Sequence, residues 1–516
     1  MRSPLLSKRL RKKRHKNHHG HQRRRAHAKP ARHRRRRHTH VDENVALNLT
    51  RQPPAQPPRP DPDPPAGGKL PPPPDASHRN AERLLWRAGF GPRPGDVDRV
   101  AGMGIEAAVS ELVHPSGPAV LNGPAPADDD GNALAPADAW GHDHLWWLDR
   151  MVRSDQQLVE RMTLIWHDWF ATSDDKVGSQ QLMLNQNETM RRHALGSFHD
   201  LVVDLTQDPA MVLWLDSLDN RAGSPNENYA RELMELFTLG ADRGAYSEQD
   251  VRELARCLTG FRATWSDSVG WHDFRYDARY HDSGSKTVFG KSGNFDWRDA
   301  VRLCLENDYH ASFFVTKLWG YFVPTPMDSA TQASLQAIYT GSGYGIAPVV
   351  EAILKHPDAY SDRALVKPPV VFNAGLLRTF GRVVDTTAWT WLGTLAGQQL
   401  FRPPNVAGWD DSSWLDTSTW RGRSMMATWM FRDRYVDPWD DARPYITTED
   451  PAAAVASALD FLGRPSLSDE VRAGLLSFAE SCLPAPMARW EQGPYRAMRQ
   501  NALRHLILTS SDWMAN

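Results

Sequence analysis

From Ser77 onward the apolar positions recur mainly at helical spacing. In "DQQLVERMTLIWHDWF", Leu158, Met162, Ile165 and Trp169 fall on one face. Val159, Trp166 and Phe170 widen that stripe, which predicts a helix buried on several sides. "SHRNAERLLWRAGFG" predicts a helix capped by Ser77 and stopped at Gly89, and "PGDVDRVAGMG" starts another. "TMRRHALGSFHDLVVDLTQDPAMVLWLD" supplies one or two more. Strand patterns are rare and short, with one expected around Lys286 to Phe289. The expected class is all-α: a single large multi-helix domain with long loops over residues 77–516.

The stretch "SPNENYARELMELFTLG" (Ser224 to Gly240) carries two readings. In the structural one, Ser224 is the N-cap, Pro225 takes the first helical position and Glu227 completes a capping box. Tyr229, Leu233, Leu236 and Phe237 form the apolar face. Glu227, Arg231 and Glu235 pair at i,i+4 spacing, and Gly240 ends the helix. A second helix repeats the logic with Ser247, Asp250 and Gly260. Asn226, Asn228 and Glu232 are left without a structural task. In the functional reading, Asn228 and Glu232 share a face one turn from Glu235, and such a cluster can bind a cation or hold a proton-transfer group.

Charge divides the chain. Its net charge of -1 is the sum of unlike parts. Residues 1–41 hold 17 Lys and Arg, 8 His and no acid, which leaves 44 basic against 62 acidic residues beyond them, a net of -18. Such an arm has almost nothing apolar to bury and is expected to be disordered. Its chemistry suits polyanions, nucleic acid or an anionic polymer, through salt-sensitive phosphate-type contacts. Residues 42–76 form a proline-rich linker, with "RQPPAQPPRPDPDPPAGGKLPPPPD" expected to be extended. The three cysteines, Cys257, Cys304 and Cys482, form no CxxC pair, which argues against a disulfide framework or a thiolate zinc site. No run approaches the ~18 apolar residues of a membrane span. Without an apolar leader the expected compartment is cytoplasmic, with export the alternative if the true start lies elsewhere.

Several stretches in order resemble one family. "LLWRAGFGPRPGDVDRV", "DPAMVLWLD", "NENYARELMELFTLG", "YSEQDVRELARCLTGF", "HDSGSKTVFG", "KLWGYFV", "VKPPVVF" and "FRPPNVAGW" are similar to the signature of the bacterial domain-of-unknown-function family numbered 1800. The resemblance covers roughly Ser77 to Met425. It implies a largely helical fold and brings no established activity. Many members look exported, and their genes often neighbour those of sulfatase-like proteins, which implies work on surface polymers. Members often carry a His-x-His pair where this chain reads "WHDWFATS"; it keeps His167 but has Trp169 at the second position.

Other candidate chemistry lies in two loops. His281, Asp282 and Lys286 stand in "RYHDSGSKTVFG", either an acid/base or ligand group or an Asx-type turn with a surface His. "FRPPNVAGWDDSSWLDTSTWRGR" holds Arg402, Asn405, Trp409, Trp414 and Trp420, which suit a sugar or planar ligand, or else a rigid plug against the core. P-loop, GxSxG, HExxH and EF-hand motifs are absent. The sequence therefore leads to two expectations. One is an enzyme acting on a polymer or its decoration, with Glu232, Glu235, His281 and Asp282 catalytic. Asn228, Arg231, Lys286, Arg402, Asn405 and Trp409 then bind substrate, and His167 with Glu232 hold a divalent metal. The other is a non-catalytic scaffold that docks to polyanions through the arm.

Overall fold

Helices in this chain begin where a short polar side chain can take the first free N–H groups. The computed structural model describes residues 70–431, 450–482 and 489–516. The basic arm, and nearly all of the proline-rich linker, lie outside the described residues. The first helix runs from Ala76 to Arg87, and its cap is Asp75, which accepts from the His78 N–H at 2.9 Å. Ser77 is thus the second residue of the helix, and Asp75 holds the cap expected of it. Ser247 is the cap of Glu248–Cys257 as expected, with Asp250 returning the bond to the Ser247 N–H at 2.8 Å.

The helix of the Ser224 stretch starts later than expected. Ser224 instead closes a turn with Arg221. The helical residues are Asn228–Glu232, and Asn226 accepts from the Asn228 N–H at 2.9 Å. The helix then widens into a π-helical segment over Leu233–Thr238. Its last carbonyls are taken by side chains from elsewhere. Lys317 donates to Leu236 at 3.1 Å, Trp169 to Phe237 at 3.1 Å, and His310 Nδ1 to Thr238 at 2.8 Å. A cation at a helix C-terminus also meets the negative end of the dipole.

The apolar stripes close into two cores. One gathers about Trp166, Trp169, Phe198, Phe237 and Phe314. The other gathers about Trp86, Trp147, Phe372, Trp389 and Phe401. The Gln157–Trp169 helix serves both: Leu158, Met162, Ile165 and Trp166 face the first, and Leu164 faces the second. The Pro369–Phe380 helix is buried along its whole length. Near it, the Leu365 and Asn516 backbones exchange bonds at 2.7 and 3.0 Å, which draws the last described residues into the second core.

The chain is mostly helical, with two small antiparallel sheets among the described residues. β3 (Lys286–Val288) pairs with β4 (Lys291–Gly293), where a strand was expected. β1 (Phe261–Ser266) and β2 (Gly270–Tyr276) form a longer hairpin that the apolar pattern does not announce. Among the described residues no helix is long and apolar enough to cross a membrane.

Candidate active site

The expected site residues fall into three groups, each with its own partners. The first surrounds the Asn228–Glu232 helix. Arg231 donates to Glu248 at 2.9 and 2.8 Å and to Glu235 and Glu227 at 3.3 Å each. Asn228 donates to Asp216 at 3.3 Å. Glu232 makes no hydrogen bond among the described residues, and half-burial beside Glu235 raises its pKa. Glu235, Arg231 and Asn228 thus bind protein groups, and the charged network joins two helices.

The second group is a closed knot under the 278–286 loop. Arg256 grips Asp282 at 2.8 and 3.2 Å, and this pushes the carboxyl down to about 2. Asp282 also accepts from the Gly284 N–H at 2.9 Å, which is the Asx-type turn of the structural reading. His281 Nδ1 donates to the Thr259 carbonyl at 3.0 Å, leaving Nε2 toward Lys286 at 3.4 Å. Lys286 is buried, donates to the carbonyls of Asp282 and Phe295, and is lowered in pKa by that burial.

The third group centres on the Gln157–Trp169 helix. His167 is buried among Trp147, Phe401 and Trp409, with ring centroids 5.3, 5.6 and 5.5 Å away. Burial pushes it down to about 3, so the imidazole is neutral. Its Nε2 is buried without a partner. The next residue, Asp168, meets two distant segments. Tyr321 donates its hydroxyl to Oδ2 at 2.7 Å, and the Trp409 N–H donates to Oδ1 at 2.9 Å. Gly408 passes so close, at φ +90°, that a Cβ would collide with the carboxylate. Asn405 accepts from the Ala407 N–H at 2.8 Å and so shapes the turn that presents Trp409.

Lys317 completes this group. Its ammonium lies 4.4 Å from the Trp169 ring, and Trp169 stacks on Tyr321. Burial pushes Lys317 down to about 8, and Asp168 opposes that fall. Burial, with Asp411 adding to it, raises Asp168 against the bonds from Tyr321 and Trp409. Asp168, Lys317, Tyr321 and Trp409 are only partly buried, so solvent reaches them. Arg161, about two helical turns before Asp168 on the same helix, is buried and pushed down to about 10 by that burial. Arg402 is committed to Asp174 and Asp175 at 2.7 and 2.5 Å. It also faces Asp143, whose carboxyl is pushed up to about 6 by burial.

Among the described residues no three His, Cys, Asp or Glu side chains gather as metal donors. Around His167 the lining is aromatic, and its partner in the expected donor pair, Glu232, is held in the first group. Among the described residues, then, His167 and Glu232 do not stand together as a donor pair for a divalent ion.

Comparison with known proteins meets this geometry at the same motifs. The pattern of the family described as "Protein of unknown function (DUF1800)" matches residues 83–515. The chain belongs to that family. No curated protein and no solved structure matches it. The DUF1800 match runs past Met425 to the C-terminal residues, further than the resemblance read from the motifs. This fits the pairing of Leu365 with Asn516. In this DUF1800 protein "WHDWF", "KLWGYFV" and "FRPPNVAGW" come together on Asp168. Sequence reasoning named His167 and Trp409 but missed Asp168, Lys317, Tyr321 and Arg161. The available signal was the pair of motifs themselves, since Lys317 and Tyr321 are the polar positions of "KLWGYFV" that a buried segment does not need.

Proposed function

We propose that this DUF1800 protein is an enzyme in which Asp168 and Lys317 act as a proton-transfer pair on a polymer or its decoration. The observation that carries the reading is the meeting of Asp168 from one helix with Lys317 and Tyr321 from the last turn and C-cap of another (His310–Gly320), at a partly open surface. Opposed environments move the two groups toward one another, Asp168 upward and Lys317 down to about 8. A carboxyl raised by burial and an amine lowered by it, in one group, are the kind of acid–base partners that general acid–base catalysis uses. Trp409 at the rim supplies a flat apolar face for a sugar ring. Trp169, where relatives often carry a second His, serves here as the ring under Lys317.

The test uses the full chain incubated with bacterial envelope polymer fractions, with released fragments read by mass spectrometry. Asp168→Asn and Lys317→Met each lower release by about 10²-fold or more while the thermal midpoint stays near that of the parent. Release by the parent falls as pH rises through about 8, where Lys317 loses its proton. Equal release from the parent and both variants would overturn the assignment.

A further inference from the structure

The β1–β2 hairpin, away from the Asp168 group, carries an unusual set of side chains. Trp265 and Trp271 are directly opposed in the ladder, with centroids 5.4 Å apart, and are 58% and 39% exposed. Toward the base, Arg262 stands opposite Arg275. Like charges directly opposite destabilise a strand pair. Neither arginine makes an ion pair among the described residues. Arg262 lies 4.5 Å from the ring of half-exposed Tyr280, and Arg275 donates to the Asp273 carbonyl at 2.9 Å. Asp277, near Arg275, is already taken by Arg279 at 2.6 Å. Both arginines line a small cavity, open to solvent, together with Phe274, Tyr276, Gln207 and Val212.

We propose that this hairpin binds an anionic glycan, whose acidic groups sit between Arg262 and Arg275 while a neighbouring sugar ring stacks on Trp265 and Trp271. Two arginines that line one cavity without an ion-pair partner among the described residues match a carboxylate or phosphate, and planar arginine is suited to bidentate contact with either. The cavity is small and open to solvent, so an acidic group enters it while the rest of the glycan runs over the exposed tryptophans. Amphipathic indoles give a sugar ring a flat face, and Gln207 at the cavity wall can bond a hydroxyl. Charge decides against a lipid surface. A bilayer would press Asp267, at the tip between the tryptophans, against its anionic headgroups, whereas a glycan can place its acidic group at the arginines and an uncharged ring face on the tryptophans. The site stands independently of the Asp168 pair.

Calorimetric titration of the full chain tests this with three probes: an oligogalacturonate, an uncharged dextran oligosaccharide and phosphatidylglycerol vesicles. Arg262→Gln with Arg275→Gln weakens oligogalacturonate binding about tenfold or more, and dextran binding stays the same. Trp265→Ala with Trp271→Ala weakens both sugars, again about tenfold for the acidic one. These side chains are exposed or line the open cavity, so the thermal midpoint reports any loss of fold. The titrations are run at salt of roughly 0.3 M, where the arm's counterion-release binding is suppressed in every protein compared and the hairpin's contribution is what is read. Asp168→Asn leaves the glycan affinity unchanged, which separates this site from the proposed reaction centre. Oligogalacturonate affinity within about twofold of the parent in both double variants overturns the proposal. So does vesicle binding that depends on Trp265 and Trp271 when sugar binding does not.

Discussion

Lys367 is the residue on which burial weighs most visibly. It is 2% exposed, and its ammonium lies 3.7 Å from the centroid of the Trp86 ring and 5.1 Å from that of Trp513. Its one hydrogen bond goes to the Trp513 carbonyl. A cation there gains from the two rings but loses its water. The loss wins, since burial pushes the amine down to about 7. In the unfolded chain the group titrates near ~10.4. Between those values the unfolded state binds the additional proton, so the lysine's contribution to stability improves as pH rises from about 7 to about 10. Below about 7 the penalty is complete. Lys367→Met keeps the stem and removes the charge. It should stabilise the protein by about 1–4 kcal/mol at pH near 6, with the gain shrinking toward pH 10. Urea unfolding at both pH values checks this. A variant less stable than the parent at the lower pH would mean that the rings more than offset the lost hydration.

At the scale of elements, the Glu248–Cys257 helix is the tie between otherwise separate pieces. Glu248 takes Arg231 from one neighbour, and Arg256 takes Asp282 from another. These partly exposed pairs contribute little each. The stronger tie is Asp250. One of its oxygens accepts from the Ser247 N–H, and the other from the Phe289 N–H at 2.7 Å, where the β3–β4 turn passes through φ +49°. Ser247→Ala should cost about 1 kcal/mol, the usual value for a lost cap. Asp250→Ala should cost more, about 2 kcal/mol or above, because it also leaves the Phe289 N–H without its acceptor. Denaturant midpoints of the two variants decide between them, and equal losses would show that Asp250 acts on its own helix only. The same helix shows what a sequence discloses. Its cap and stripe depend on residues three or four positions apart, so spacing alone gives them. The late start of the Asn228 helix was hidden because Ser224 is a good cap that the Arg221 turn claims first. The β1–β2 hairpin was hidden because cross-strand pairs such as Trp265 with Trp271, rather than an alternating stripe, define it. The Asp168 group was hidden by distance. Tyr321 is 153 residues away and Trp409 is 241, and no local pattern reports which helices will meet.

Across the whole molecule, charge is arranged so that two kinds of anion binding can be told apart. Beyond residue 41 the chain carries 44 basic against 62 acidic residues. Such a body repels polyanions at long range, and the Arg262–Arg275 pair is a local exception that needs a sugar ring on the adjacent tryptophans as well. The arm is the reverse, with 17 Lys and Arg and no carboxylate within residues 1–41. Its binding is expected to come from counterion release, which is indifferent to the shape of the polymer and falls steeply with salt. We therefore propose the arm as the polyanion-binding element of the full chain. On a heparin column the parent should elute late, at high salt, whereas a chain lacking residues 1–41 should elute far earlier, with only the weak retention the hairpin supplies. The hairpin double variants should elute with the parent, because two charges among the many on the arm change the total little. If the truncated chain were retained as strongly as the parent, the attraction would have to arise in the acidic body. The charge division would then have no part in how this protein meets a polyanion.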